Sequence, residues 1–238
     1  YLVFGASGGI GSALCKRLIN NGSQVALASR TEERLQPIAV ELGAPSFTVD
    51  AADVDAVASV VSEAQTQLGS LDGLVNCVGS VFLKPAHRTS IEEWQETLAT
   101  NLTSAFAVVR AAGQQLRRSG GSVVLLSTAA ARTGLRNHEA IAAAKGGVIA
   151  LALSAAATYA RSNIRFNVVA PGLVKTPATT SITENETSAK ASLSMHPLGR
   201  FGEPEDIAAA IQWLLDPASS WVTGQVIGVD GGLANIKA

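Results

Sequence analysis

Seven residues near the amino terminus, Gly5-Ala6-Ser7-Gly8-Gly9-Ile10-Gly11, have the composition of a phosphate cradle. Small residues let the backbone come close to a pyrophosphate. A helix starting there adds free N–H groups and a partial positive charge. Four apolar, β-forming residues, Tyr1 to Phe4, precede the turn, and Ser12 to Asn21 read as the helix after it. Strand, glycine turn and helix in that order make a dinucleotide-binding start. The spacing of Gly5, Gly9 and Gly11 is G-x-x-x-G-x-G rather than G-x-G-x-x-G, and the turn alone would also suit a left-handed bend with no ligand. A second chemical signal ends the next apolar run, at Ser29-Arg30. An acid there would bind both ribose hydroxyls and select NAD. A hydroxyl and a guanidinium instead suit a 2′-phosphate, which favours NADP over NAD, although Arg30 could also stack on the adenine without selecting. His87, His138 and His196 have no ligand-like spacing, so no metal is expected.

The elements that must position these residues alternate regularly. Strands are expected at Gln24–Ala28, Ser46–Val49, Gly73–Asn76, Ser122–Leu126, Ile164–Val169 and Val226–Val229. Helices are expected at Glu32–Leu42, Val54–Leu68, Glu92–Arg117, Ala140–Ala160 and Pro204–Leu215, with Ser90 and Glu93 forming a capping box before the third of these. The alternation implies a parallel sheet, and near-continuous apolar strands imply helices on both faces. Right-handed crossovers then give a single α/β domain over 1–238, a doubly wound Rossmann sheet of about seven strands. Leu173 to Met195, rich in Thr, Ser and Ala, follows the sixth strand at its carboxyl end and reads as an irregular substrate lid.

Composition narrows the function. The 238 residues are 47% hydrophobic with a formal net charge of −1, which argues against nucleic acid and anionic membranes as partners. The apolar stretch Val148 to Ala160 is too short to span a bilayer. Cys15 and Cys77 fall in core elements at no metal-like spacing, so reduced thiols and a cytoplasmic location are expected. The chain opens inside a strand, and a few residues are expected to precede Tyr1. Trp94, Trp213 and Trp221 read as packing residues.

The glycine turn, Asn76-Cys77-Val78-Gly79, Asn101, Ser127-Thr128, Lys145, Pro171-Gly172 with Thr176, and the run from Val222-Thr223-Gly224 to Asp230-Gly231-Gly232 occur in one order. In this the chain resembles the short-chain dehydrogenase/reductase family over nearly its whole length. The resemblance implies hydride transfer between a nicotinamide cofactor and a small organic substrate. It gives Asn76 and Gly79 a turn beside the adenine ribose, and Asp50 a place at the adenine edge. Lys145 would hold the nicotinamide-ribose hydroxyls and lower the pKa of a catalytic acid. Asn101 would hold a helix carbonyl and a relay water, although Asn within a helix often only back-bonds. Val174 and Thr176 would contact the carboxamide and diphosphate. The apolar helix after Lys145 and the final helix resemble the family's subunit interfaces, implying a homotetramer or homodimer.

One position departs from the pattern. The family's acid is a tyrosine four residues before the lysine, and here that residue is Ile141. Tyr1 lies in the first strand, and Tyr159 lies fourteen residues past Lys145, about 21 Å along the helix. The serine normally thirteen residues before the tyrosine is Thr128, with Ser127 beside it. Three readings follow. His138, seven residues before Lys145, could be the acid, since enoyl reductases of this superfamily carry their tyrosine at that spacing. Alternatively water or the substrate supplies the proton, which suits an activated C=C or C=N bond better than a plain ketone. In the third reading the chain binds NADP with little catalysis, as a sensor or partner subunit.

Overall fold

Short runs of buried apolar residues build the sheet. Leu2–Phe4 (β1), Ala26–Ser29 (β2), Ser46–Thr48 (β3), Gly73–Asn76 (β4), Gly121–Leu126 (β5), Ile164–Pro171 (β6) and Val226–Val229 (β7) are its strands. The structure, a computed structural model, describes residues 1–236. All neighbouring strands pair in parallel, in the order β3-β2-β1-β4-β5-β6-β7. The helices are Gly9–Asn20 (α1), Glu32–Leu42 (α2), Val54–Leu68 (α3), Ile91–Leu98 (α4), Ser104–Gln115 (α5), Glu139–Tyr159 (α6), Thr180–Thr183 (α7), Glu186–Leu193 (α8) and Pro204–Leu215 (α9).

The inner strands have apolar side chains on both sides, so both faces need cover. Leu14, Leu18, Leu35, Ile207 and Ile211 of α1, α2 and α9 pack on one face. Val57, Val61, Val108, Val148 and Ala152 of α3, α5 and α6 pack on the other. β1 lies between β2 and β4, so the chain winds outward from it in both directions. That reversal opens a crevice at the carboxyl ends of the strands, where doubly wound sheets take ligands.

Several expectations need correction. The helix expected over Glu92–Arg117 is broken by a π-turn at Ala99–Thr103, between α4 and α5. The extra residue per turn rotates Asn101 into a fully buried position. The lid is not irregular throughout, because α7 and α8 lie within Leu173–Met195; Asn185 caps α8 by accepting from Ser188 N–H. The apolar helix also runs longer than Val148–Ala160. Glu139–Ser162 is long and apolar enough by composition to cross a membrane, but the face with Ala144, Val148, Ala152 and Ala155 is buried on the sheet. Trp221 is not a packing residue, since it is 98% exposed. Tyr159 stacks on Phe166, with ring centroids 5.6 Å apart, at the end of α6 remote from Lys145.

A glycine in β4 follows from close strand packing. A Cβ on Gly73 would strike the Ser122 carbonyl of β5, whereas one on Gly134 would meet open space. Gly73→Ala is expected to lower unfolding free energy by about 1–3 kcal/mol, and Gly134→Ala by less than about 0.5 kcal/mol. Urea midpoints at unchanged slope check this; equal midpoints for the two variants would contradict it.

Candidate functional site

The glycine turn is shaped by backbone contact. Gly5 adopts φ 74°, and a Cβ there would lie 2.9 Å from the Cys77 carbonyl carbon and the Val78 nitrogen. Gly11 faces the Gly5 backbone, with no space for a side chain. A Cβ on Gly9 would lie 2.9 Å from the Thr176 methyl, so the turn also supports the start of the lid. Gly8 caps α1 with no side-chain acceptor, and no acidic residue sits in the first turn. The orphan N–H groups of that turn therefore face the cleft without a competing carboxylate.

This cleft, about 790 Å3, runs along the carboxyl ends of the strands. Ser7, Gly9, Ile10 and Gly11 line one end, Gly79, Ser127, Thr128 and Lys145 the middle, and Pro171, Gly172, Val174 and Thr176 the opposite wall. His138 and Ile141 complete it. A cradle that a Cβ would fill, beside a helix start stripped of acids, fits the diphosphate of a dinucleotide.

Lys145 is the electrostatic centre. Its side chain is buried, and Nζ donates to the carbonyls of Leu126 at 2.9 Å and Val78 at 3.3 Å. Among the described residues no carboxylate pairs with it. Burial pushes the ammonium down to about 8, with the neighbouring Cys77 acting in the opposite direction. Burial likewise pushes the Cys77 thiol up to about 12, and raises Cys15. Both cysteines are free thiols.

Asn101 and Lys145 converge on Gly79, where a Cβ would be 3.2 Å from both Asn101 Oδ1 and Lys145 Nζ. Asn101 does more than back-bond. Its Nδ2 donates to the Thr97 carbonyl and to Ser80 Oγ, both at 2.9 Å, and Oδ1 accepts from the Ser80 N–H at 3.1 Å. Asn76 sits beneath the cleft floor: Oδ1 accepts from Val78 N–H at 3.0 Å, and Nδ2 donates to Ser104 Oγ at 3.2 Å. The adjacent hydroxyls after β5 have separate jobs. Ser127 Oγ donates to the Lys145 carbonyl at 2.9 Å, stitching this strand end to α6. Thr128 Oγ1 accepts from Ala130 N–H at 3.3 Å and donates to no described residue, so its proton is available to the cleft.

His138 caps α6 at the cleft mouth. Its Nδ1 meets the Arg136 carbonyl at 2.7 Å, which requires a hydrogen on Nδ1 and leaves Nε2 without a described partner. Ile141 is buried one turn later and presents only hydrocarbon. Five of the expected cofactor residues lie outside the cleft lining, Gly5 and Asn76 among them. Ser29 Oγ pairs with Ser7 Oγ at 2.5 Å, Arg30 is exposed, and the Asp50 carboxylate accepts from Ala52 N–H at 2.9 Å.

Three residues carry roles that spacing did not reveal. Ser80 locks Asn101 as described. His196, 3% exposed, accepts from Leu173 N–H through Nε2 at 3.1 Å and donates through Nδ1 to the Ser192 carbonyl at 2.7 Å. It therefore fastens the end of α8 to the end of β6. Thr179 closes the lid's first turn on itself, donating to the Val174 carbonyl at 2.6 Å.

The buried ammonium makes a pH prediction. The folded pKa of Lys145 lies near 8, below the 10.5 of an exposed lysine. Between those values the unfolded chain binds more protons, so this group's contribution to stability rises with pH. The unfolding free energy of wild type minus Lys145→Met is expected to rise between pH 8 and 10.5, by at most about 3 kcal/mol. The difference reports Lys145 together with its effect on the neighbouring Cys77 thiol; a flat difference would contradict the buried charge.

Comparison with known proteins places the chain in a family. Residues 5–234 match a family model described as enoyl-(acyl carrier protein) reductase. The chain is 36% identical over 234 residues to a Xanthobacter autotrophicus protein named inactive 2-(S)-hydroxypropyl-CoM dehydrogenase 2, covering 94% of this chain and 100% of that one. A short-chain type dehydrogenase/reductase from Mycobacterium ulcerans superposes with a TM-score of 0.95 at 32% identity, covering 98% of this chain and 89% of the other. A single-residue variant of the actinorhodin polyketide ketoreductase, solved with NADPH, superposes with a TM-score of 0.91 at 30% identity, covering 99% of this chain and 97% of the other. The chain belongs to the short-chain dehydrogenase/reductase family.

Proposed function

We propose that the chain is an NADP(H)-dependent oxidoreductase that moves a hydride to or from a small, uncharged carbonyl, imine or activated alkene, with Ile141 where the family carries its tyrosine. The observation that carries this reading is one continuous cleft joining the glycine cradle to Lys145 and Thr128, with Ile141 in its wall. NADP is favoured by Ser29-Arg30 and by the NADPH held in the similar ketoreductase.

When bound, the cofactor's nicotinamide supplies or takes up the hydride. The cradle and the start of α1 would hold the diphosphate, and the Lys145 ammonium the ribose hydroxyls. Thr128 would donate its free O–H to the substrate's oxygen or nitrogen. Val81, Leu83, Leu135, Ile182 and Met195 line the same cleft with Ile141, and no carboxylate among the described residues does, which suits an apolar, uncharged substrate. The proton would come from His138: with Nδ1 held by Arg136, protonation places the second N–H on Nε2, the atom without a described partner. Because His138 sits three residues before Ile141, its proton is delivered nearer the mouth than a tyrosine hydroxyl at 141 would deliver it. That offset suits a conjugated acceptor, in which the atoms taking hydride and proton are separated.

A second reading, an NADP-binding protein with little turnover, is favoured by the hydrocarbon at 141 and by the printed name of the Xanthobacter relative. Following NADPH oxidation against ketones, quinones, imines and activated alkenes separates the two. Turnover is expected on a conjugated acceptor, His138→Ala is expected to lower it about 100-fold, and Ile141→Tyr to raise activity on plain ketones. No turnover on any class, with tight NADPH binding, would leave the second reading.

Exposed Phe106 and Leu153 on α5 and α6, and Trp213 on α9, support self-association as a homodimer or homotetramer. Sedimentation velocity is expected to give two or four times the chain mass; a monomer would refute it.

A further inference from the structure

One imidazole closes the lid into a loop. His196, just past Met195, is buried with both ring nitrogens engaged. Nε2 accepts from the N–H of Leu173, the lid's first residue, at 3.1 Å. Nδ1 donates to the carbonyl of Ser192, in the last turn of α8, at 2.7 Å. The ring sits in a fitted niche. A Cβ on Gly172 would lie 2.8 Å from Nε2, and one on Gly231 would lie 3.6 Å from the ring. Phe201 meets it edge to face, with ring centroids 6.0 Å apart. Only the neutral tautomer with its hydrogen on Nδ1 satisfies both partners. The charged groups of the neighbouring elements are already occupied. Arg200 pairs with Asp206 of α9, Lys175 pairs with Glu203, and Asp230 after β7 accepts from the N–H groups of Gly232 and Ala234. On α8, Glu186 and Lys190 are exposed. On the cleft side the titratable lining groups are Arg34, Cys77, His138 and Lys145. Among the described residues no carboxylate pairs with the His196 ring.

We propose that His196 is a proton-released latch: its neutral imidazole holds the lid closed over the cleft, and protonation lets the lid's two ends part. A second proton goes to Nε2, the atom whose lone pair holds the Leu173 N–H. Donor then faces donor, in a niche with no free carboxylate to balance the new charge. Histidine is the side chain that changes charge between about pH 5 and 8. The Ser192 bond survives, because Nδ1 keeps its hydrogen. The break therefore falls on one bond, between Leu173 and the ring. Leu173 and Lys175 stay tied to Gly202 by backbone bonds, so the part set free is the α8 end of the lid. Ile182, Ser192 and Met195 of that part line the cleft. His196 is thus a positioning residue that acts on a bound ligand through the lid. That the ligand held is a nicotinamide dinucleotide rests on the cofactor reading above.

Amide hydrogen exchange reads the latch directly and needs no substrate. Protection of the Leu173 N–H, relative to its intrinsic exchange, is measured at about pH 7.5 and about pH 5.5 on wild type, His196→Gln and His196→Asn. The Val168 N–H of β6, which donates to the Gln225 carbonyl at 2.8 Å, is the reference for global opening. In wild type, Leu173 protection is expected to fall about tenfold or more at the lower pH while Val168 protection holds. His196→Gln, whose side-chain carbonyl reaches the place of Nε2, is expected to protect Leu173 equally at both. His196→Asn, which reaches Ser192 only, is expected to leave it unprotected at both. The dissociation constant of NADP, taken as the ratio of wild type to His196→Gln, is expected to rise at the lower pH. The cofactor's own phosphate titrates alike in both proteins, so the ratio isolates His196. Leu173 protection that does not change in wild type, or that falls as far in His196→Gln, would overturn the latch. The wild-type profile decides this even where a variant fails to fold. Lost protection with an unchanged NADP ratio would overturn closure of the lid over the ligand. Absence of NADP binding at either pH would instead refute the cofactor reading, and the exchange result would still decide the latch.

Discussion

A lysine ammonium buried without a carboxylate partner is the constraint around which this molecule is arranged. Desolvating such a charge is costly, and nothing about the fold's own stability requires it. Lys145 is kept charged only by backbone carbonyls, from Val78 after β4 and from Leu126 at the end of β5. Those two carbonyls converge because β4 and β5 are neighbours in register and both stop at the same edge of the sheet. Ser127 closes the loop by donating to the lysine's own carbonyl. Strand ends, turn and helix are thus held in one geometry by the group whose charge they tolerate, and a perturbed buried charge in a cleft is a mark of a working site.

The other features follow from placing a ligand against that ammonium. The turn after β4 must bring Gly79 over Lys145 and Asn101 with no side chain between. The π-turn buries Asn101 where an unbroken helix would carry it round the axis, and Ser80 then fixes its amide. The two ends of the lid are tied by the bond from Leu173 N–H to His196, Thr179 closes its first turn on Val174, and Ile182, Ser192 and Met195 line the cleft. In the proposed chemistry this leaves Thr128 as the hydroxyl facing the substrate and Ile141 as wall. The reaction would then depend on a substrate that needs only a displaced proton donor.

Much of the fold was legible because its signals are strong and local. Apolar runs with regular helical spacers marked all seven strands near their observed ends, and Gly5, Gly9 and Gly11 marked the turn. Lys145, Asn101 and Thr128 were singled out by resemblance to the motifs of the short-chain dehydrogenase/reductase family. What escaped has physical reasons. A π-turn differs from an α-turn by one residue and leaves no mark in composition, so Glu92–Arg117 read as one helix. His196 binds two backbone groups, and backbone partners have no sequence signature. Spacing placed Thr128 at the family's serine position with Ser127 beside it, and on extended backbone their successive side chains point to opposite sides, Ser127 Oγ to α6 and Thr128 to the cleft. Trp221 read as packing because tryptophan is usually buried, but here it stands in solvent.

The most direct test of the central claim, that a nicotinamide dinucleotide lies against the Lys145 ammonium, is a crystal structure of the protein with NADP. The diphosphate is predicted over Gly8 to Ile10 at the start of α1, the nicotinamide-ribose hydroxyls within hydrogen-bond distance of Lys145 Nζ, and Ile141 flanking the open face of the ring. A nucleotide bound elsewhere, or one whose nicotinamide ribose lies away from Lys145, would contradict it.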